Sequence, residues 1–404
     1  MKLFQRLLVA PAALGLFVPM TATNATEVNL EDISIYSEVE TSIHSDVESI
    51  DFSNSFNNND RSTENLLAGG EGLGLGSPDS DSFSSTTVAS FSTDFILGAV
   101  DGSSNEQVSA GYSYQIDLST SFTGEDSFFV SIDAGNAGDP LAEMDLNSGG
   151  DGLTVDGIGY QFPLGNKTQV VVGESIDGSS LYNTACVYGG FTNTLDDCGN
   201  ASSAFTTVGD DSTGLSISYD IGGGFTGALG LATASGANGI FGKATQDFVG
   251  GQLSYNADNY GISVTYADRE EQKMFIRNSQ ETPISEYLLD SFYYGFNAYY
   301  KPDSAALPSL SVGYELGDLA GLTEDTDQWF AGVQWDELGP GTLGAAVGTA
   351  GAIGEESEEL LMYEAFYAYQ VNDSMTITPA IYVQETAAGS EDLTGLVVKT
   401  SFSF

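Results

Sequence analysis

From Phe83 to Phe404 apolar and polar residues tend to alternate along the chain. Between Ser109 and Phe122 the even positions read Tyr112, Tyr114, Ile116, Leu118, Thr120 and Phe122, and the odd positions Ser109, Gly111, Ser113, Gln115, Asp117, Ser119 and Ser121. Successive side chains of a strand point to opposite faces, so this segment has one apolar, aromatic face and one small, polar or acidic face. Alternation over more than ten residues outruns the usual strand of a soluble domain. It suits a tilted strand crossing a bilayer, which takes about 9–11 residues.

The pattern recurs. Tyr260, Ile262, Val264 and Tyr266 alternate with Gly261, Ser263, Thr265 and Ala267, and Leu310, Val312, Tyr314 and Leu316 with Ser309, Ser311, Gly313 and Glu315. The last strand sets Leu396, Val398, Thr400, Phe402 and Phe404 against Gly395, Lys399, Ser401 and Ser403. Strands are predicted at 83–100, 108–123, 126–136, 153–164, 167–176, 213–221, 224–234, 246–256, 258–268, 289–302, 305–318, 326–336, 340–350, 359–371, 373–385 and 393–404. The count is even, as single-chain bacterial barrels require. Connections after even-numbered strands are short. Those after odd-numbered strands are generally longer, notably 137–152, 177–212, 235–245 and 269–288. The fold class expected is all-β: a transmembrane antiparallel β-barrel of about 16 strands, closed so that lipid meets no open sheet edge. The competing reading is a β-sandwich in a secreted or surface-attached structural or adhesive protein, but a sandwich gives no reason for loop length to follow parity.

Ahead of the barrel, residues 1–25 read as a signal peptide. Lys2 and Arg6 precede an apolar run from Leu7 to Val18, and Thr23-Asn24-Ala25 offers small residues for a cut after Ala25. The run is too short to span a bilayer comfortably, and the other reading is an N-terminal anchor helix. Residues 26–82 form an acidic linker rich in Ser, Asn and Gly, expected to be flexible. Its GGEGLGLG has no strand before it or helix after it to make a phosphate loop.

Composition removes several functions. There are 57 Asp and Glu against 10 Lys and Arg, for a formal net charge of −47. Such a chain does not suit a nucleic-acid partner, which needs a basic face. Its single histidine, His44, lies in the linker, so the barrel has no histidine to act as general base. One His and two Cys cannot supply a usual zinc or iron–sulfur ligand set. No enzyme activity, cofactor or metal is assigned. The run Asp145 to Asp151 offers oxygen ligands but lacks the spacing of an EF-hand loop. Cys186 and Cys198 lie twelve positions apart in a polar stretch. An oxidising compartment favours a disulfide between them over two free thiols.

Charged residues suggest where a bore would act on solutes. Asp117, Glu315 and Glu364 fall on polar strand faces and would favour cations in a lumen. Arg269, Lys273 and Arg277 continue by parity the polar face begun at Ser263 and Thr265. They point into a channel if the ninth strand extends past 268; otherwise they sit in a solvated loop beside Glu270 and Glu271. The longest connection, 177–212, carries Asp177, Asp196, Asp197, Asp210 and Asp211. Long loops normally run over the surface, which would make it an exposed acidic loop.

Several segments resemble one family. MKLFQRLLVAPAALGL, FSSTTVASFSTDFILGAV, GYSYQIDLSTSFTGEDSFFVSIDAGN and GYQFPLGNKTQVVVG occur in the order found in cyanobacterial outer-membrane porins, which are related to the carbohydrate-selective porins. The resemblance covers the signal and most of 83–404, and is strongest over 83–200. It implies a water-filled outer-membrane channel for passive diffusion of small hydrophilic solutes such as ions and sugars, surrounded by outer-membrane lipid and assembled as a homotrimer. It further implies that loop 177–212 folds into the lumen and narrows it. The terminal Phe402 and Phe404 resemble the signal read by the barrel-assembly machinery. These relatives usually carry a surface-layer-homology domain and a short coiled coil that tether them to peptidoglycan. Residues 26–82 are too short and lack that pattern, so the resemblance does not extend to tethering.

Overall fold

The computed structural model describes residues 87–404 apart from 145, 197, 199–211, 241–244, 278–282, 319–324, 352, 355–357 and 388; over 271–277, 283–290 and 353–354 it describes the backbone only. The expected signal peptide (1–25) and linker (26–82) lie outside the described residues. The described strands are β1 (Thr87–Asp101), β2 (Ser109–Thr120), β3 (Ser127–Gly135), β4 (Gly150–Pro163), β5 (Thr168–Glu174), β6 (Thr213–Gly222), β7 (Phe225–Thr233) and β8 (Asp247–Asn256). They continue as β9 (Tyr260–Arg277), β10 (Pro283–Tyr300), β11 (Ser309–Asp318), β12 (Thr326–Leu338), β13 (Gly341–Thr349), β14 (Ile353–Gly354), β15 (Leu361–Asn372), β16 (Met375–Gln384) and β17 (Leu393–Ser403). β14 is a two-residue addition to the end of β12. The other sixteen strands form the wall.

Every wall strand pairs antiparallel with its chain neighbours, β13 with β15 across the short β14, and β1 pairs with both β2 and β17. The sheet therefore closes on itself. Closure satisfies the backbone groups that an open edge would leave bare in lipid. The seam is held at its end by the last residue. Phe91 N–H donates to Phe404 O at 2.9 Å and Phe404 N–H to Phe91 O at 3.0 Å. Their rings stack at 5.6 Å, and Phe95 meets Phe402 edge-on at 6.1 Å.

Burial is inverted relative to a soluble protein. Along β11 the residues are alternately buried and exposed, and the buried ones are the polar set. Ser311 is 1% and Glu315 2% exposed, whereas Leu310 is 43% and Val312 40% exposed. β9 repeats this, with Ser263 and Thr265 buried and Ile262, Val264 and Tyr266 exposed. A contiguous apolar face of this kind needs a non-aqueous neighbour. The single closed sheet with its greasy side outward excludes the two-sheet sandwich.

The connections 121–126, 164–167, 223–224, 257–259, 301–308, 339–340 and 373–374 lie at one end of the barrel, and the longer connections 136–149, 175–212 and 234–246 at the other. Two expectations are corrected here. The long loop expected at 269–288 is mostly strand, because β9 and β10 run 18 residues each. Beyond Arg269 and before Phe292 these two strands pair only with each other, while β8 stops pairing at Arg269 and β11 at Phe292. A two-strand extension encloses no interior, so nothing there imposes alternation. Conversely, β10 ends at Tyr300 and β11 starts at Ser309, so the turn expected at 303–304 is a longer connection.

Candidate functional site

The enclosed face is polar, and the β5–β6 connection lies against it. Alternate backbone N–H groups of this connection donate in succession to inward side chains of the wall. Leu181 N–H reaches Ser216 Oγ on β6 at 3.2 Å, Asn183 N–H reaches Gln252 Oε1 on β8 at 2.7 Å, and Ala185 N–H reaches Ser263 Oγ on β9 at 2.9 Å. Val187 N–H then reaches Ser311 Oγ on β11 at 3.0 Å, and Gly189 N–H reaches Gln334 Oε1 on β12 at 2.9 Å. The segment is extended, so every second N–H faces the wall, and the wall answers with one short polar side chain per step. The connection thus runs around the inside of the barrel and not over its surface. Inward glycines give it room. A Cβ on Gly230 would sit 2.0 Å from Gly178 O, and one on Gly313 would sit 1.6 Å from Cys198 O.

The far end of this segment is fastened to β15. Glu364 accepts from Tyr188 OH at 2.7 Å, Phe191 N–H at 3.0 Å, Thr192 N–H at 2.8 Å and Thr192 Oγ1 at 2.5 Å. Cys186 and Cys198 form a disulfide with Cα atoms 6.4 Å apart, closing a ring around these anchoring residues. Asn297 Nδ2 donates to Cys198 O at 3.1 Å. Apolar contacts complete the seat. Tyr188 packs on Phe330 and Phe366, Phe191 stacks on Phe366, and Leu195 is buried beside Leu141 and Met144 from the β3–β4 connection. Burial, and then the charge and hydrogen bond of Glu364, push the Tyr188 hydroxyl well above the usual phenol range.

The residues singled out from the sequence fall into distinct places. Asp117 is inward and half-buried, accepting from Ser131 Oγ at 2.6 Å and Gln115 Nε2 at 3.0 Å. Glu315 is inward but covered, with Gln328 Nε2 at 2.9 Å from Oε1. Glu364 is inward and serves the loop. Asp177 and Asp196 lie on the loop itself, Asp196 N–H donating to Thr192 O at 3.1 Å. Asp197, Asp210 and Asp211 lie outside the described residues. Arg269 continues the inward face of β9. Lys273 and Arg277 are on the β9 extension, past a register shift between Leu289 and Asp290 of the partner strand, so parity counted from Ser263 does not carry through to them. Their side chains are outside the described residues. Phe402 and Phe404 form the seam already described.

Two features were not picked out from the sequence. Lys399 places its ammonium 5.1 Å from the Phe191 ring centre, on the inner side of β17. Its position on the polar face of the last strand was the available signal. A cavity of about 670 Å³ lies between β3, β4 and the start of the β5–β6 connection, lined among others by Phe129, Ser131, Asp133, Asp156, Ser175 and Asp177. Among the described residues no group of three or more His, Cys, Asp or Glu side chains is placed to hold a metal ion.

The chain matches no protein-family model and no curated protein. Among solved structures it is similar to the high-pH structure of Pseudomonas putida OprB, with a TM-score of 0.59 at 12% identity, over 79% of this chain and 94% of that one. A mutant of the Rh. blastica porin aligns over 79% of this chain and 100% of its own, with a TM-score of 0.48 at 14% identity. At such identities the likeness to OprB is one of fold.

Proposed function

We propose that the chain forms a water-filled channel across an outer membrane, through which small hydrophilic solutes such as ions and sugars diffuse passively, cations in preference to anions. The observation that carries this reading is the inverted burial of the closed barrel: Leu310, Val312 and Tyr314 face outward while Ser311 and Glu315 face the bore. Lipid takes the first set and water or loop backbone the second. The resemblance of the 83–200 segment to cyanobacterial outer-membrane porins and the fold shared with OprB support the same conclusion.

No chemistry is required of such a protein; bore width and lumen charge select the solute. The loop seated on Glu364 narrows the bore. Its carboxylates Asp177, Asp196, Asp197, Asp210 and Asp211, with Asp117 on the wall, form an acidic lining that attracts cations. Arg269, Lys273 and Arg277 are proposed as an opposing basic cluster. Residues 1–25 act as a cleaved export signal, 26–82 as a linker, and Phe402 and Phe404 as the signal to the assembly machinery of a homotrimer.

Liposome swelling with a graded series of sugars and amino acids tests the channel. Swelling rates should fall with solute size; vesicles that do not swell in any of these solutes would remove the proposal. Reversal potential under a salt gradient tests the preference, and a chloride-favouring sign would contradict it.

A further inference from the structure

The inner wall has a covered arc and an open arc. From β6 round to β15 the inward polar groups lie under the loop: Ser216 is fully buried, and Ser263, Ser311, Glu315, Gln328 and Glu364 are each at most 4% exposed. The β3–β4 connection adds Leu141 and Met144 against Val100 and Tyr382. An ion cannot reach this arc without first displacing packed loop.

The wall of β2–β4 is different. Register aligns Gln115 with Asp133, and Asp117 with Ser131, in two adjacent rows. Their hydrogen bonds run sideways along the wall: Ser131 Oγ and Gln115 Nε2 to Asp117, and Thr154 Oγ1 to Asp133 at 2.7 Å. No loop backbone is recorded as bonding to these side chains. Instead the cavity of about 670 Å³ opens here, with Asp133, Asp156 and Asp177 among its lining residues and no Lys or Arg among the described ones. Carboxylates in a cleft with low-dielectric walls concentrate the field and raise the local cation concentration.

We propose that solutes pass eccentrically, along the β2–β4 wall, and that Asp133 is the specificity-determining carboxylate of that path, whereas Glu315 and Glu364 are covered and do not meet the solute. The proposal rests on the channel reading above. It redistributes the acids of the lumen by access: Glu364 spends its oxygens on four loop donors, and Glu315 is covered at 2% exposure, while Asp133 borders open volume.

Planar-bilayer recordings on the full chain test it with four variants. Asp133→Asn should lower the cation-to-anion permeability ratio by about twofold, and Glu315→Gln should leave it at the wild-type value. A cationic methanethiosulfonate reagent should block Ser131→Cys channels and leave Ser311→Cys channels conducting. An unchanged reversal potential in folded Asp133→Asn, or block of Ser311→Cys as fast as that of Ser131→Cys, overturns the proposal. If Asp133→Asn shows no heat-modifiable barrel, the cysteine pair decides alone. A wild-type chain that gives no conductance contradicts the channel reading itself, a result distinct from channels whose selectivity ignores Asp133.

Discussion

Glu364 and Thr192 are joined twice, by the backbone N–H at 2.8 Å and by the hydroxyl at 2.5 Å, both to the same carboxylate oxygen. The other oxygen takes Tyr188 and Phe191. One side chain of the wall thereby sets the position of a segment that reaches it from the far side of the barrel.

Replacing Glu364 with Ala should free this end of the loop without opening the wall. Each buried donor left without an acceptor costs about 1–3 kcal/mol, so the seated state loses its main polar anchor. The expected result is a normally heat-modifiable barrel whose single-channel conductance is larger and noisier than wild type. A conductance trace indistinguishable from wild type would show that Glu364 does not seat the loop.

The disulfide closes a ring that contains Tyr188, Phe191 and Thr192. Cross-linking a loop of this size stabilises by about 3 kcal/mol in the chain-entropy description. Cys186→Ser with Cys198→Ser should therefore loosen the same segment and shift the unfolding of the loop, while strand content by circular dichroism stays constant. Alkylation mass spectrometry checks the bond directly: no adduct on the denatured native chain, two after reduction.

The hydroxyl of Tyr188 is raised by burial and by Glu364. A raised folded-state value means that its contribution is complete below the unfolded phenol value of about 10 and is lost as pH climbs through the folded value. Conductance should stay flat from neutral pH to about 10 and rise only in stronger alkali. Tyr188→Phe should reduce that alkaline rise. A transition near neutrality assigned to this residue would contradict the coupling.

Phe404 closes the seam with a two-way backbone bond to Phe91 and a stacked ring. Phe404→Ala keeps the backbone bonds and gives up an aromatic pair worth about 0.5–1.5 kcal/mol. Deleting the residue removes both. The folded fraction, read as the heat-modifiable band, should fall slightly for the substitution and strongly for the deletion.

Much of the wall was legible because lipid and lumen impose opposite demands at successive positions. Ser309 to Leu316 states its fold in its letters. Where only one environment surrounds a strand, the letters stop reporting: Asp268 to Arg277 reads as a charged loop yet continues β9 as half of a free-standing hairpin. The place of the loop was legible only by resemblance. Its anchors are ordinary inward residues, Ser263, Ser311 and Glu364, and their partners lie 78, 124 and more than 170 positions away. Parity located Glu364 on the inner face, but could not show that loop donors would cover it. Nor could it find Asp133, whose importance comes from empty space beside it.

Conductance of the purified full-length chain in a planar lipid bilayer tests the central claim most directly. Discrete, uniform steps that appear only on insertion from detergent, with a cation-favouring reversal potential, are the expected result. A chain that stays monodisperse in buffer without detergent and never produces a step would contradict a barrel whose apolar side meets lipid and whose polar side encloses the path.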